Sequence, residues 1–306
     1  INNMLTVTQK KKIVKEYLEK GNIKQISKKY DCTTSTIHKW VRKYATNGYT
    51  RVRTKLLEKH DKNEDGFISI EEFLTDFHKK SKGPKAKSKE INYGYQYLSN
   101  IYNFLYIYLR KEKLKKFIIL PDYAISVRGG LINSSSCIDF HYENIYFPQV
   151  MVKAIRKGIK KKAVRFIKFS LLLFETKDNL SHVNACVIDT KSKTLERFEP
   201  YGTLEPVYQN KIDAIFKDFV MFHLGLSSYK YVKPLDLSPP VGIQVKSDSY
   251  NGMCVTISLM WMQLRLLNPD KKPKKMVDDL LKMKASELKS LILRFAKYVE
   301  KTLKSN

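Results

Sequence analysis

Residues 164–175 read VRFIKFSLLLFE, an apolar run too continuous for a strand with one wet face. A half-solvated strand alternates apolar and polar positions, whereas a strand covered on both faces does not. This stretch therefore predicts a central strand, and a central strand requires packed layers on both sides of its sheet. The flanking sequence supplies them. KFIILPDYAISV is strand-like, and FPQVMVKAIRKGIKKK has helical spacing. HVNACVIDT and KTLERFEPYG alternate and are joined by the short polar turn TKSK, which predicts an antiparallel hairpin. Residues 206–224 predict a helix, YKYVKPLDL another strand, and GMCVTISLMWMQLRLLNPD a strongly apolar helix. The expected unit is an α/β domain with a mixed sheet over residues 93–306, opened by the tyrosine- and leucine-rich helix YGYQYLSNIYNFLYIYLRKEKLKK.

The first 46 residues follow a different period. In LTVTQKKKIVKEYLEKG, Ile13, Val14, Tyr17 and Leu18 share one helical face, and Gly21 supplies a stop. NIKQISKKYDCTTSTIHKWVRKY predicts two further helices around a tight turn at 31–34. Ser35 is the expected N-cap of the last helix, and Ile37, Trp40 and Val41 its inner face. This pattern, with its "ST(I/V)xxW" opening, resembles the helix-turn-helix of transposase and resolvase DNA-binding domains over about 40 residues. The resemblance implies that the last helix enters the major groove, with Thr34, Ser35, His38, Lys39 and Arg42 facing DNA. A trihelical spacer with a solvated basic face would show the same apolar pattern.

Residues 47–80 contain DKNEDGFISIEEF between two helical flanks. Asp61, Asn63, Asp65, Gly66, Ser69 and Glu72 occupy positions 1, 3, 5, 6, 9 and 12 of an EF-hand loop, with the Phe67 carbonyl at position 7 and Ile68 at the apolar position 8. A hard cation takes oxygen ligands, glycine permits the sharp turn, and the last glutamate closes the shell. The expected ligand is Ca²⁺. Such loops usually pair, and no second one is present, so either two chains pair or a neighbouring bundle covers Ile68 and Phe73. Both a structural clip and a sensor are compatible with the pattern. The polar stretch KKSKGPKAKSKE predicts a linker over 81–92.

Lysine and arginine outnumber aspartate and glutamate by 57 to 30, a net charge of +27 spread along the whole chain. That field attracts polyanions such as nucleic acid or an acidic membrane face, although an A/T-rich genome would also enrich lysine. Cys32, Cys137, Cys186 and Cys254 form no zinc or disulfide spacing, which fits a reducing compartment. No run approaches the roughly 18 apolar residues of a membrane span, and no signal core opens the chain. A soluble, intracellular protein is expected.

One constellation carries chemistry. Cys254 stands at the start of the apolar helix, where the helix dipole and unpaired N–H groups stabilise a thiolate. His182 opens one strand of the predicted hairpin and Glu199 ends the other, so a base and its orienting acid can meet. Gln244, ahead of the cysteine, can donate its amide to an oxyanion alongside the Cys254 backbone N–H. Asn184, on the same strand face as His182, is an alternative orienter. Each residue alone has a plainer reading: a satisfied histidine, a packing cysteine. Their order resembles that of the adenovirus proteinase and the SUMO-specific proteases. HVNACVIDTKSKTLERFEPYG and GMCVTISLMWMQLRLLNPD are also similar to blocks in proteins of large DNA viruses of eukaryotes, over roughly residues 115 to 270. The resemblance implies a multidomain viral protein: an all-α helix-turn-helix and EF-hand region followed by a papain-like α/β cysteine peptidase domain. It further implies a protein substrate cut at peptide or isopeptide bonds, and residence in the virion or viral factory. Two features depart from the cellular proteases. Gln244 lies ten residues before the cysteine rather than about six, and Val183 replaces the tryptophan that usually follows the histidine. A non-catalytic, calcium-stabilised DNA-binding or virion structural protein is the alternative.

Overall fold

A computed structural model describes residues 5–20, 22–45, 48–80, 98–121, 124–133, 138–175, 180–203, 206–247 and 253–305. The linker expected at 81–92 and Cys137 lie outside them. The chain opens with helices α1 (Val7–Lys20), α2 (Ile23–Lys29) and α3 (Thr34–Tyr44), as the apolar spacing predicts. Helices α4 (Gly48–His60) and α5 (Ile70–Lys80) then flank loop 61–69, and α6 (Leu98–Lys111) leads into the sheet region.

That region runs β1 (Ile118–Ile119), β2 (Ile125–Asn133), β3 (Ile138–Tyr146), α7 (Gln149–Ile159), β4 (Phe166–Glu175), β5 (Leu180–Asp189) and β6 (Thr194–Phe198). It continues through α8 (Pro206–Ile215), a π turn (Phe216–Val220), α9 (Met221–Leu224), β7 (Lys230–Val232), α10 (Pro234–Leu237) and α11 (Ile243–Lys246). Helices α12 (Met253–Leu267), α13 (Pro273–Leu281) and α14 (Ala285–Lys304) close the chain. The sheet order is β3-β2-β4-β5-β6-β7, with β1 also paired to β4. β1 and β2 run parallel to β4, whereas β5 runs antiparallel to both β4 and β6, so the sheet is mixed.

β4 is the interior strand that its apolar run predicts, and both of its faces are covered. Ile167, Phe169, Leu171 and Leu173 pack with Ile155 of α7 and Phe216 of the π turn. The opposite face meets α12 and is less apolar than its sequence suggests. Lys168 is fully buried there and donates to the Met262 carbonyl. Burial, reinforced by Arg265 nearby, pushes its pKa well below the ordinary lysine range.

The β5–β6 hairpin forms in the expected place, with Asp189 paired to Thr194 and Cys186 to Arg197. Its turn is held by Asp189, whose carboxylate accepts the N–H groups of Lys191 and Ser192. KFIILPDYAISV is not one strand: Pro121, which has no N–H to donate, lies between β1 and β2. YKYVKPLDL yields only the three-residue β7 before Pro234 opens α10.

Helix α12 is buried along its entire length, from Met253 to Leu267. One side meets the sheet, where Trp261 stacks on Phe198 at 4.7 Å between ring centroids. One apolar cluster joins α12, α6 and α14 to Ile13, Ile37 and Val41 of the first three helices. Among the described residues, no helix is long and apolar enough to cross a membrane.

Candidate functional site

Three of the four residues singled out for catalysis meet at one end of the sheet. His182 Nε2 stands 2.5 Å from Glu199 Oε1, a contact that the hairpin makes possible by bringing the start of β5 beside the end of β6. The Cys254 side chain, in the first turn of α12, lies near enough to the imidazole to act on its protonation. Burial by itself disfavours a charged imidazole, but Glu199 and Cys254 together outweigh it and raise the His182 pKa to about 10. Burial likewise opposes the Glu199 anion. The imidazolium, the Arg197 guanidinium and the Tyr201 N–H overcome that opposition and hold its pKa below the usual carboxylate value. Such an arrangement can take a proton from a thiol and hold it as an ion pair.

Behind Glu199 lies a polar network that the sequence did not reveal. Asn184 Nδ2 donates to Glu199 Oε2 at 2.8 Å. Asn184 therefore orients the acid rather than the histidine. Its Oδ1 accepts from Arg197, which is 0% exposed and also donates to Gln209, Asp213 and the Tyr231 hydroxyl. A buried arginine needs several acceptors to offset lost hydration, and Arg197 has four.

Gln244 reaches the same neighbourhood through a glycine crossing. Gly202 has φ +93°, and a Cβ at Gly242 would fall 2.3 Å from the Gly202 nitrogen. Only side-chain-free residues allow this approach. It sets the Gln244 N–H on the Pro200 carbonyl at 2.9 Å and leaves the buried Gln244 Oε1 without a partner. The ten-residue spacing to Cys254 passes through 248–252, outside the described residues.

In loop 61–72, glycine stands at the sharp turn with φ +76°. The Gly66 N–H donates to Asp61 Oδ2, Asp65 N–H to Asn63 Oδ1, and Phe67 N–H to Asp65 Oδ1. Glu72 accepts from the N–H groups of Lys62, Asn63 and Ser69, and from the Ser69 hydroxyl. Among the described residues, no three histidine, cysteine, aspartate or glutamate side chains converge as a metal group. Asp61, Asp65 and Glu72 thus share a loop without forming a closed cage. Asp61 Oδ1 is nonetheless buried and unpartnered.

Loop 61–69 is tied to the end of α12 through one side chain. Ile68 N–H donates to Asn268 Oδ1 at 2.8 Å, and Asn268 Nδ2 donates to the Ile68 carbonyl at 2.9 Å. One carboxamide at the end of α12 thus makes the pair of bonds that a partner strand would make. Arg53 and Tyr49 of α4 donate to the Leu267 and Leu266 carbonyls, capping the same helix end.

The residues expected on DNA divide differently from the sequence reading. Lys39 and Ser35 are exposed on α3, together with Lys43, which the reading omitted. His38 is not on that face: it is 6% exposed and packs against the Tyr17 ring. Burial lowers its pKa to about 4, so it is neutral, and its 3.8 Å approach to Glu58 is no ion pair. Arg42 is bound to Glu58 at 2.6 Å, and Thr34 donates to Glu64 of the neighbouring loop. The cap of α3 is Thr33, whose hydroxyl accepts the Thr36 N–H, rather than Ser35.

Residues 4–53 match the model of the homeodomain-like domain, which makes the N-terminal helices a helix-turn-helix of DNA-binding type. A protein of Acanthamoeba polyphaga mimivirus, described as an ankyrin repeat protein, is 21% identical over 218 residues. That alignment covers 60% of this chain and 28% of the relative's length. No solved structure matches the chain.

Proposed function

We propose that the protein is a DNA-associated viral cysteine peptidase. The observation that carries this reading is the His182 imidazole held between the Glu199 carboxylate and the Cys254 thiol. In the proposed reaction, Cys254 gives its proton to His182 and attacks the carbonyl carbon of a peptide or isopeptide bond. The proton passes to the leaving amine, and water then releases the acyl group from sulfur with His182 as base. Glu199 fixes the ring, Asn184 and Arg197 fix Glu199, and the Gln244 amide with the Cys254 N–H receives the oxyanion. The helix-turn-helix would bring this chemistry to DNA or a nucleoprotein core, and the mimivirus relative supports a viral setting such as a virion or viral factory.

The test is iodoacetamide alkylation of each cysteine against pH, read by mass spectrometry, in wild type and His182→Ala. Rapid modification of Cys254 at about pH 6 to 7, well below the ordinary thiol pKa of roughly 8.5, and its loss in the variant are expected. A Cys254 equally inert in both proteins would sink the peptidase reading. The second reading, a protease-like scaffold in a DNA-binding virion protein, draws on Cys254 being only 5% exposed. It predicts that inert outcome.

We further propose that Asp61, Asn63, Asp65, Ser69, Glu72 and the Phe67 carbonyl hold Ca²⁺. A buried carboxylate oxygen without a partner suits a cation, and Glu72 would exchange its backbone donors for the ion. Isothermal titration of Ca²⁺ into wild type and Glu72→Gln tests the assignment. Equal heats in both proteins would defeat it.

A further inference from the structure

A cleft of about 510 Å³ opens beside the helix-turn-helix, lined by Gly48, Arg51, Val52, Leu109, Arg110, Lys113, Lys115 and Lys116. Five of its lining residues are basic and none is acidic. One wall is the start of α4, within the segment matched as homeodomain-like; the other is the turn from α6 to β1.

The sequence builds this wall by burial. Leu114 and Phe117 turn inward, so Lys113, Lys115 and Lys116 are left outside. Lys113 adopts φ +58° just past the end of α6, where its N–H donates to the Arg110 carbonyl. Phe117 packs edge-on against Tyr49, and a Cβ at Gly48 would stand only 3.0 Å from its ring. The bare glycine thus lets α4 close on the turn and brings Arg51 opposite the lysines. Arg51 Nε also donates to the Ala45 carbonyl, at the end of α3. Glu112, just past the end of α6, is engaged by Lys59 at 3.2 Å. Gly48 opens α4, so the positive end of that helix adds to the field.

We propose that this cleft holds the phosphodiester backbone of the duplex that α3 engages, making the sheet domain's own turn part of the DNA interface. The inference rests on DNA binding by the helix-turn-helix. In homeodomain-like docking the last helix lies in the major groove and its C-terminal end approaches the backbone. Here that end is Arg51-capped and adjoins the cleft. Lysines on phosphate add affinity without sequence preference, and each contact steepens the salt dependence.

The test is fluorescence anisotropy of a mixed-sequence DNA duplex across a salt series, with the full chain. Lys113→Gln/Lys115→Gln/Lys116→Gln should flatten the slope of log K against log salt by about 0.9 per lost phosphate contact, roughly 2 to 3 in all. Arg51→Gln/Arg110→Gln, which alters the facing wall at Arg51 and the end of α6 at Arg110, should flatten it independently, which guards against a misfolded triple variant. Lys39→Gln serves as the helix-turn-helix arm. A flattened slope for Lys39→Gln with an unchanged slope for both cleft variants overturns the cleft and leaves the helix-turn-helix reading intact. Wild type with no salt-dependent duplex affinity overturns both. Tighter binding to an RNA duplex of the same length overturns the assignment to DNA.

Discussion

Helices α3 and α12 both carry residues singled out for function near their N-terminal turns, yet they handle polar groups in opposite ways. α3 is amphipathic: Ile37 and Val41 are buried, while Ser35, Lys39 and Lys43 face outward. α12 has no outward face, so a polar side chain on it depends on partners inside the protein, and the Trp261 Nε1 is buried without a hydrogen-bond partner. Ser258 donates to the Val183 carbonyl, Arg265 forks onto Glu196 at 2.8 and 2.9 Å, and Cys254 meets His182. The contrast teaches where function can be altered without cost. A polar change on α3 alters an interface with solvent or ligand, whereas one on α12 alters the fold itself.

The comparison is sharpened most by Arg265→Ala, which strands Glu196 in the core. A loss of about 3–5 kcal/mol is expected in urea unfolding, and a loss below about 1 kcal/mol would mean that burial on α12 is less demanding than this contrast holds. Next comes Asn268→Ala, which leaves both Ile68 backbone groups unpaired at a cost of about 1–3 kcal/mol each. Asn268→Asp retains only the acceptor for the Ile68 N–H, and so should fall between wild type and alanine. An unchanged unfolding midpoint in Asn268→Ala would show that the loop does not depend on α12.

A smaller effect lies in the pH dependence of the His182–Glu199 pair. The histidine's contribution to stability is complete below its unfolded pKa of about 6.5 and is lost as pH rises through about 10. That of Glu199 is present above its unfolded value of about 4.3 and is lost as pH falls through its depressed folded value. Unfolding midpoints between these limits should decline toward alkaline pH in wild type and lose that component in His182→Gln. Identical profiles would deny the ion pair. The smallest effect is Lys39→Ala on α3: stability should change by no more than about 0.5 kcal/mol while duplex DNA affinity drops. A large stability change there would erase the contrast between the helices.

The sheet was readable where its physics is local. VRFIKFSLLLFE announces β4 because both faces are buried, and the alternation around TKSK announces the β5–β6 hairpin. The pairing of His182 with Glu199 follows from that hairpin. Long-range choices were not readable. IDFHYENIY mixes charged and apolar positions, and only its place beside β2 makes it β3. Nothing in TSTIHKWVRKY says which side α4 will take, and it is Glu58 of α4 that covers His38 and binds Arg42. The roles of Arg197 and Arg265 were hidden for the same reason: in sequence a basic residue reads as surface, and only the packed structure places it in the core.

The carboxamide of Asn268 has a consequence for how the loop at 61–72 would take up the proposed Ca²⁺. Paired EF-hand loops share backbone bonds, so occupation of one alters the other and the binding curve steepens. Here the shared bonds end on a side chain, which has no second ion to report. If the loop takes the proposed Ca²⁺, binding should follow a simple hyperbola, and its free energy passes into the far end of α12, the helix whose first turn holds Cys254.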